Sequence, residues 1–82
     1  MINIPELKPV KSSHIAALGY SVIEEKHKLQ RHLFVKLQSG KIYKYTGVHE
    51  EIYKRLLRSS SVGVLFNELI TSNYDYELIE DA

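Results

Sequence analysis

Tyr43 and Tyr45 stand two places apart in KIYKYTG, with Lys41 before the pair and Lys44 inside it. Exposed phenol rings stack on nucleobases while neighbouring ammonium groups contact phosphates, a combination that binds single-stranded nucleic acid with little regard to its sequence. Lys26, Lys28, Arg31 and Lys36 precede the pair and would lengthen such a basic track. In a small domain an aromatic stripe is more often core filling. The same two rings therefore have two readings, stacking or packing.

Other chemistry is weaker. His27 and His32 are five places apart, so in one continuous strand they point to opposite faces and cannot clasp one metal unless a turn intervenes. His14 and His49 have no cysteine or acid at ligand spacing, and each is read as a solvated side chain. The chain holds no glycine-rich phosphate cradle and no nucleophile motif. Glu24–Glu25 and Glu50–Glu51 read as loop and first-turn helix charges. The expectation is a protein that binds and does not catalyse, with no metal and no cofactor.

Which way the tyrosines face depends on the elements around them. HIAALGYSV (14–22) reads as a strand in which Gly19 marks a bulge or a close approach of other chain. The charged stretch IEEKHKLQRH is either a long hairpin loop or the wet ends of two strands. In HLFVKLQ, Leu33, Val35 and Leu37 alternate onto one face, and IYKYT after Ser39-Gly40 completes a hairpin. A two-residue turn at Ser39-Gly40 would put the tyrosines opposite that face and bury Lys44 beside Val35. A three-residue bend, Gln38-Ser39-Gly40 with its last residue left-handed, pairs Tyr43 with Val35 and Tyr45 with Leu33. The cost of burying an unpaired ammonium favours the second register, and with it the packing reading.

After Gly47 the period turns helical. Ile52, Tyr53, Leu56 and Leu57 form one stripe, with Glu50 and Glu51 at the start and Lys54, Arg55 and Arg58 towards the end, as the helix dipole prefers. Ser59–Ser61 is read as stopping this helix and capping a second, whose apolar stripe is Val62, Leu65, Phe66 and Leu69. Tyr74, Tyr76 and Leu78 alternate as in a short strand that adds to the sheet edge. Pro5 and Pro9 make residues 1–11 an extended arm.

The totals set bounds. Eighty-two residues make one compact domain with a thin stability margin. A hydrophobic share of 44% and a charged share of 26% are ordinary globular values and suggest neither a disordered chain nor a membrane span. The absence of cysteine removes disulfides and thiolate chemistry, and with the lack of a signal-like start it points to the cytoplasm. Charge is uneven: residues 1–58 carry all 11 basic residues against five acids, whereas residues 59–82 carry Glu68, Asp75, Glu77, Glu80 and Asp81 and no base. Such halves either mark two functional surfaces or attract each other when the tail folds back, and the second is preferred.

The order of SSHIAALGY (12–20), KLQSGKIYKYTGV (36–48), EEIYKRLL (50–57), SVGVLFNELI (61–70) and YDY (74–76) resembles the KTSC domain, a small family named for the C-terminus of some lysyl-tRNA synthetases and also found as stand-alone bacterial or phage-type proteins. The resemblance runs over most of the chain from Ser12 and marks Gly40, Gly47, Gly63, Phe66 and Asn67 as structural motif positions. It implies RNA binding and no enzymatic activity. This chain departs from it in having Val62, Val64, Glu68, Thr71, Ser72 and Asn73 where relatives carry basic residues, which removes one expected phosphate surface. Its stretch from Tyr20 to Leu33 is also about six residues longer than the family's first hairpin. The expectation is a single α+β domain over residues 12–82, a three- to four-stranded antiparallel sheet with two short helices on one face. It would bind RNA or single-stranded nucleic acid through Lys26, Lys28, Arg31, Lys36, Lys41, Lys44, Tyr43 and Tyr45. The alternatives are a protein-interaction or inhibitor module, using the long hairpin or the acidic edge, and a small-nucleotide binder with its pocket between sheet and helices.

Overall fold

The computed structural model describes residues 4–81. Seven elements follow along the chain: β1 (Lys8–Pro9), β2 (Ile15–Glu25), β3 (Lys28–Leu37), β4 (Ile42–Thr46), α1 (Glu50–Arg58), α2 (Val62–Leu69) and β5 (Tyr76–Glu80). The strands make one antiparallel sheet in the order β1-β2-β3-β4-β5, so strands adjacent in sequence are adjacent in space, and both helices are inserted before the last strand.

This is one strand more than the upper end of the sequence expectation. The additional strand is β1, where Lys8 pairs with Leu18 and Pro9 with Ala17. It is only two residues long, and its proline has no N–H to give a ladder. The arm expected over residues 1–11 falls partly outside the described residues; its described part lies against β2. The charged stretch around residues 23–32 resolves into the wet ends of two long strands. Glu25 pairs with Lys28, leaving Lys26 and His27 as a two-residue turn with φ of 51° and 67°. That is the primed turn a twisted hairpin needs, built without the glycine or asparagine that usually relieves it.

The β3–β4 register follows the three-residue bend. Leu33 pairs with Tyr45 and Val35 with Tyr43, while Gly40 takes φ 99° and donates its N–H to the Leu37 carbonyl at 2.9 Å. Leu18 and Tyr20 join Leu33 and Val35 on the face that meets the helices. From above, Val48, Tyr53, Leu56, Val62, Phe66 and Ile70 close that core. α1 starts with Glu50 and Glu51 and ends with Arg55 and Arg58, in keeping with its dipole. The capping expectation needs a correction. Ser61 occupies the N-cap of α2, but its hydroxyl makes no bond to the helix; Ser59 Oγ instead accepts the Ser61 N–H at 2.9 Å.

The other sheet face is not bare. Ala17, Phe34 and Ile42 are buried there, opposite in strand parity to the core side chains. Gly19 is the register partner of Phe34, and the N-terminal segment crosses over it. A Cβ built at Gly19 would stand 2.7 Å from Leu7 Cδ2 and 3.0 Å from the Glu6 carbonyl oxygen. Of the two readings of Gly19, the close approach is the one realised there; the register shift of β2 falls earlier, between Ile15 and Ala17. Gly19→Val is expected to lift the segment off the sheet and cost about 1–3 kcal/mol of stability by overpacking. Urea unfolding would measure the loss, and limited proteolysis would show faster cleavage before Lys8.

Candidate functional site

The residues expected to bind nucleic acid are not gathered on one surface. Tyr43 and Tyr45 share the helix-side face with Val35 and Leu33, whereas Lys36 and Lys44 project from the other face by strand alternation. Lys26 sits in the distal turn and Lys28 begins β3 across from Glu25. Arg31 lies on the helix-side face of β3, and its carbonyl accepts the Gly47 N–H at 2.7 Å. Two of the cations meet acids in or just after β5: Lys44 Nζ is 3.2 Å from Glu77, and Lys41 Nζ is 3.9 Å from Asp81. The acidic tail thus folds back on the basic front, the structural reading of the charge asymmetry.

Tyr45 packs on the core, its ring edge-to-face with Phe66 at 5.4 Å. Burial pushes its hydroxyl above the ordinary phenol range, helped by Tyr76 and Tyr43. Tyr43 stands one row outward, half-buried, with its ring 5.8 Å from that of Tyr76. Two further tyrosines tie the helices down. Tyr20 donates its hydroxyl to the Val48 carbonyl and stacks on Tyr53 at 5.3 Å. Burial raises both hydroxyls; Arg31 opposes the rise at Tyr20, while Glu6 and Glu50 add to it at Tyr53.

The concave surface lies elsewhere. A cleft of 610 Å³ opens between the Ser12–His14 turn, Leu37 at the end of β3, and the first turns of α2. Lys11, Ser12, Ser60, Ser61, Gly63 and Asn67 give it its polar and backbone wall, and Phe66 part of its floor. Gly63 lets α2 approach the serine turn, since a Cβ there would stand 3.2 Å from Ser12 Oγ. Ser12 Oγ accepts the His14 and Ile15 N–H groups at 3.3 Å, holding that turn. A second cleft of 410 Å³ adjoins the first along Pro9, Leu57 and Ser59, and Lys11, Ser60 and Val62 belong to both.

Apart from Leu37, every lining residue comes from residues 7–23 or 52–67, two stretches without a single acid. They carry Lys8, Lys11, Lys54, Arg55 and Arg58, none of which the sequence reading chose. Leu57 lines the second cleft, and on α1 Lys54 stands three places before it and Arg58 directly after it. The acid-free runs were the available signal. The motif positions fare unevenly. Gly63, Phe66 and Asn67 meet the serine turn at the first cleft, whereas Gly40 and Gly47 shape the turns on either side of β4. Asn67 Oδ1 accepts a bond from the Thr71 hydroxyl at 3.2 Å, and Asn73, also missed, closes the end of α2 by donating to the Glu68 and Leu69 carbonyls. Among the described residues no group of three or more histidines and acids is arranged to hold a metal.

A family model for the KTSC domain matches residues 11–74. The crystal structure of a KTSC domain protein from Yersinia pestis is similar over 92% of this chain and 97% of that one, with a TM-score of 0.79 and 25% sequence identity. Among curated proteins none matches.

His32 provides a titratable probe of the outer sheet face. Its ring meets Phe34 edge-on at 6.3 Å; burial lowers its pKa from 6.5, Lys44 adds to the depression and Glu77 opposes it. Folding thus favours the neutral imidazole. The stability this lends is present above the unfolded value and lost as pH falls through the lower native one. Between about pH 7 and about pH 5, wild type is expected to lose stability more steeply than His32→Gln, read from urea midpoints at constant ionic strength.

Proposed function

The chain belongs to the KTSC domain family, and from that premise we propose that it is a non-catalytic binding module whose paired clefts receive the phosphates of single-stranded nucleic acid, RNA foremost. One observation carries this reading: the two acid-free stretches of the sequence converge on adjoining clefts that share Lys11, Ser60 and Val62. Serine hydroxyls, the uncapped N–H groups opening α2 and a lysine are phosphate donors in combination. In place of the basic residues missing around the Gly63-x-x-Phe66-Asn67 motif, Lys11 of the N-terminal segment lines both clefts, and Arg58 follows Leu57 at the end of α1. Lys41 and Lys44 are secondary here, because both already face acids. Two adjoining grooves suit a strand with successive phosphates better than one small molecule.

Fluorescence anisotropy with a short single-stranded RNA tests it. Binding is expected at low salt and should weaken as salt rises, as counterion release requires. Lys11→Glu and Arg58→Glu should each weaken it about five- to tenfold and flatten the salt slope, whereas Lys26→Ala with Lys28→Ala should change little. Salt-independent or undetectable binding would end the proposal, and a mononucleotide that bound as tightly as the oligomer would replace it with a nucleotide pocket.

A further inference from the structure

We propose that the open edge of β5 is a docking site for an extended, basic segment of a partner protein, which adds to the sheet as its sixth strand. β5 pairs with β4 on one side only and ends the sheet. The Asp75 carbonyl accepts the Thr46 N–H across the β4 side at 3.0 Å. Backbone direction alternates along a strand, so Tyr76 and Leu78 turn their N–H and C=O groups to the open edge. Their side chains are also the most exposed large apolar groups of this strand, at 65% and 44%. Backbone donors, backbone acceptors and apolar side chains thus coincide at two alternate residues, the arrangement that strand addition uses.

Charge selects the occupant. Asp75, Glu77, Glu80 and Asp81 surround these residues, and no base follows Arg58 in the chain. Lys44 engages Glu77 and Lys41 reaches Asp81, but among the described residues Asp75 and Glu80 have no ion pair. Two copies of this edge facing each other would set acid against acid, and a nucleic-acid strand would meet the same repulsion. A strand with lysine or arginine at alternate positions would be attracted along its length. The Tyr76 ring, in contact with Tyr43 at 5.8 Å and Tyr45 at 5.5 Å, offers a cation its π-face. This surface is separate from the basic clefts, so either proposal can fail without the other.

The test uses an eight-residue peptide alternating lysine and valine, titrated into the labelled full chain and followed by amide NMR, with its glutamate–valine counterpart as control. Saturable shifts centred on Tyr76 and Leu78 are expected with the lysine peptide and not with the control. Leu78→Pro removes an outward N–H that β4 does not use, so it should leave the β4 amide shifts in place and weaken binding about tenfold. Asp75→Lys with Glu80→Lys should do the same by charge without touching the backbone. The proposal is overturned if the glutamate peptide binds equally, if neither variant weakens binding, if the shifts map to the clefts, or if sedimentation shows a dimer that Leu78→Pro dissolves.

Discussion

A left-handed residue at Gly40 is the constraint from which the arrangement of both sheet faces follows. With φ at 99° it closes a three-residue bend, and the bend sets Tyr43 against Val35 and Tyr45 against Leu33. A register one residue different would exchange the faces of β4. Lys44 would then be driven towards the helices, and Tyr45 would lose Phe66. As built, Tyr45 anchors α2 to the sheet, while Lys44 reaches across the far face to Glu77 at 3.2 Å. The far face buries Phe34 and Ile42, and the N-terminal segment lies there over Gly19, the register partner of Phe34.

The same fold sorts the charges. The acidic tail returns as β5 beside β4, which neutralises part of the basic character of residues 41–44 and leaves an acidic outer edge. The acid-free stretches meet at the opposite extreme in character, a corner of serines and Lys11 around the start of α2. A net charge of +1 therefore conceals two surfaces of opposite sign. Salt should weaken anything held at the basic corner by displacing the gain from counterion release, and should equally screen a basic segment at the acidic edge.

The long β2–β3 hairpin adds a third feature. Beyond Tyr20 and Leu33 it is a two-stranded ribbon whose Val22, Ile23 and Leu29 are exposed. Its register is held by a continuous ladder ending in the oppositely charged pair Glu25 and Lys28, which offsets some of the strain of placing Lys26 and His27 at positive φ. Its β2 strand carries acids, Glu24 and Glu25, and its β3 strand bases, Lys28 and Arg31, so the two signs lie side by side and the ribbon has no single preferred partner chemistry, unlike the clefts and the β5 edge.

The amino-acid order by itself determined the local periods: alternation in β3 to β5, the helical stripes of α1 and α2, the bend favoured at Gly40 and a bulge or close approach at Gly19. Each is written in neighbours a few places apart, where backbone sterics and alternation act. The KTSC resemblance was legible for the same reason, as motifs in fixed order. The fifth strand was not, because a two-residue pairing has no period and exists only where β2 offers it an edge. Nor were the clefts, since Lys11 and Ser61 lie fifty places apart in sequence and share a wall only after the core has closed. Which cations remain available for a ligand was likewise decided in three dimensions: sequence counts charges, but a charge loses its attraction for a ligand when folding sets an opposite charge a few ångströms away.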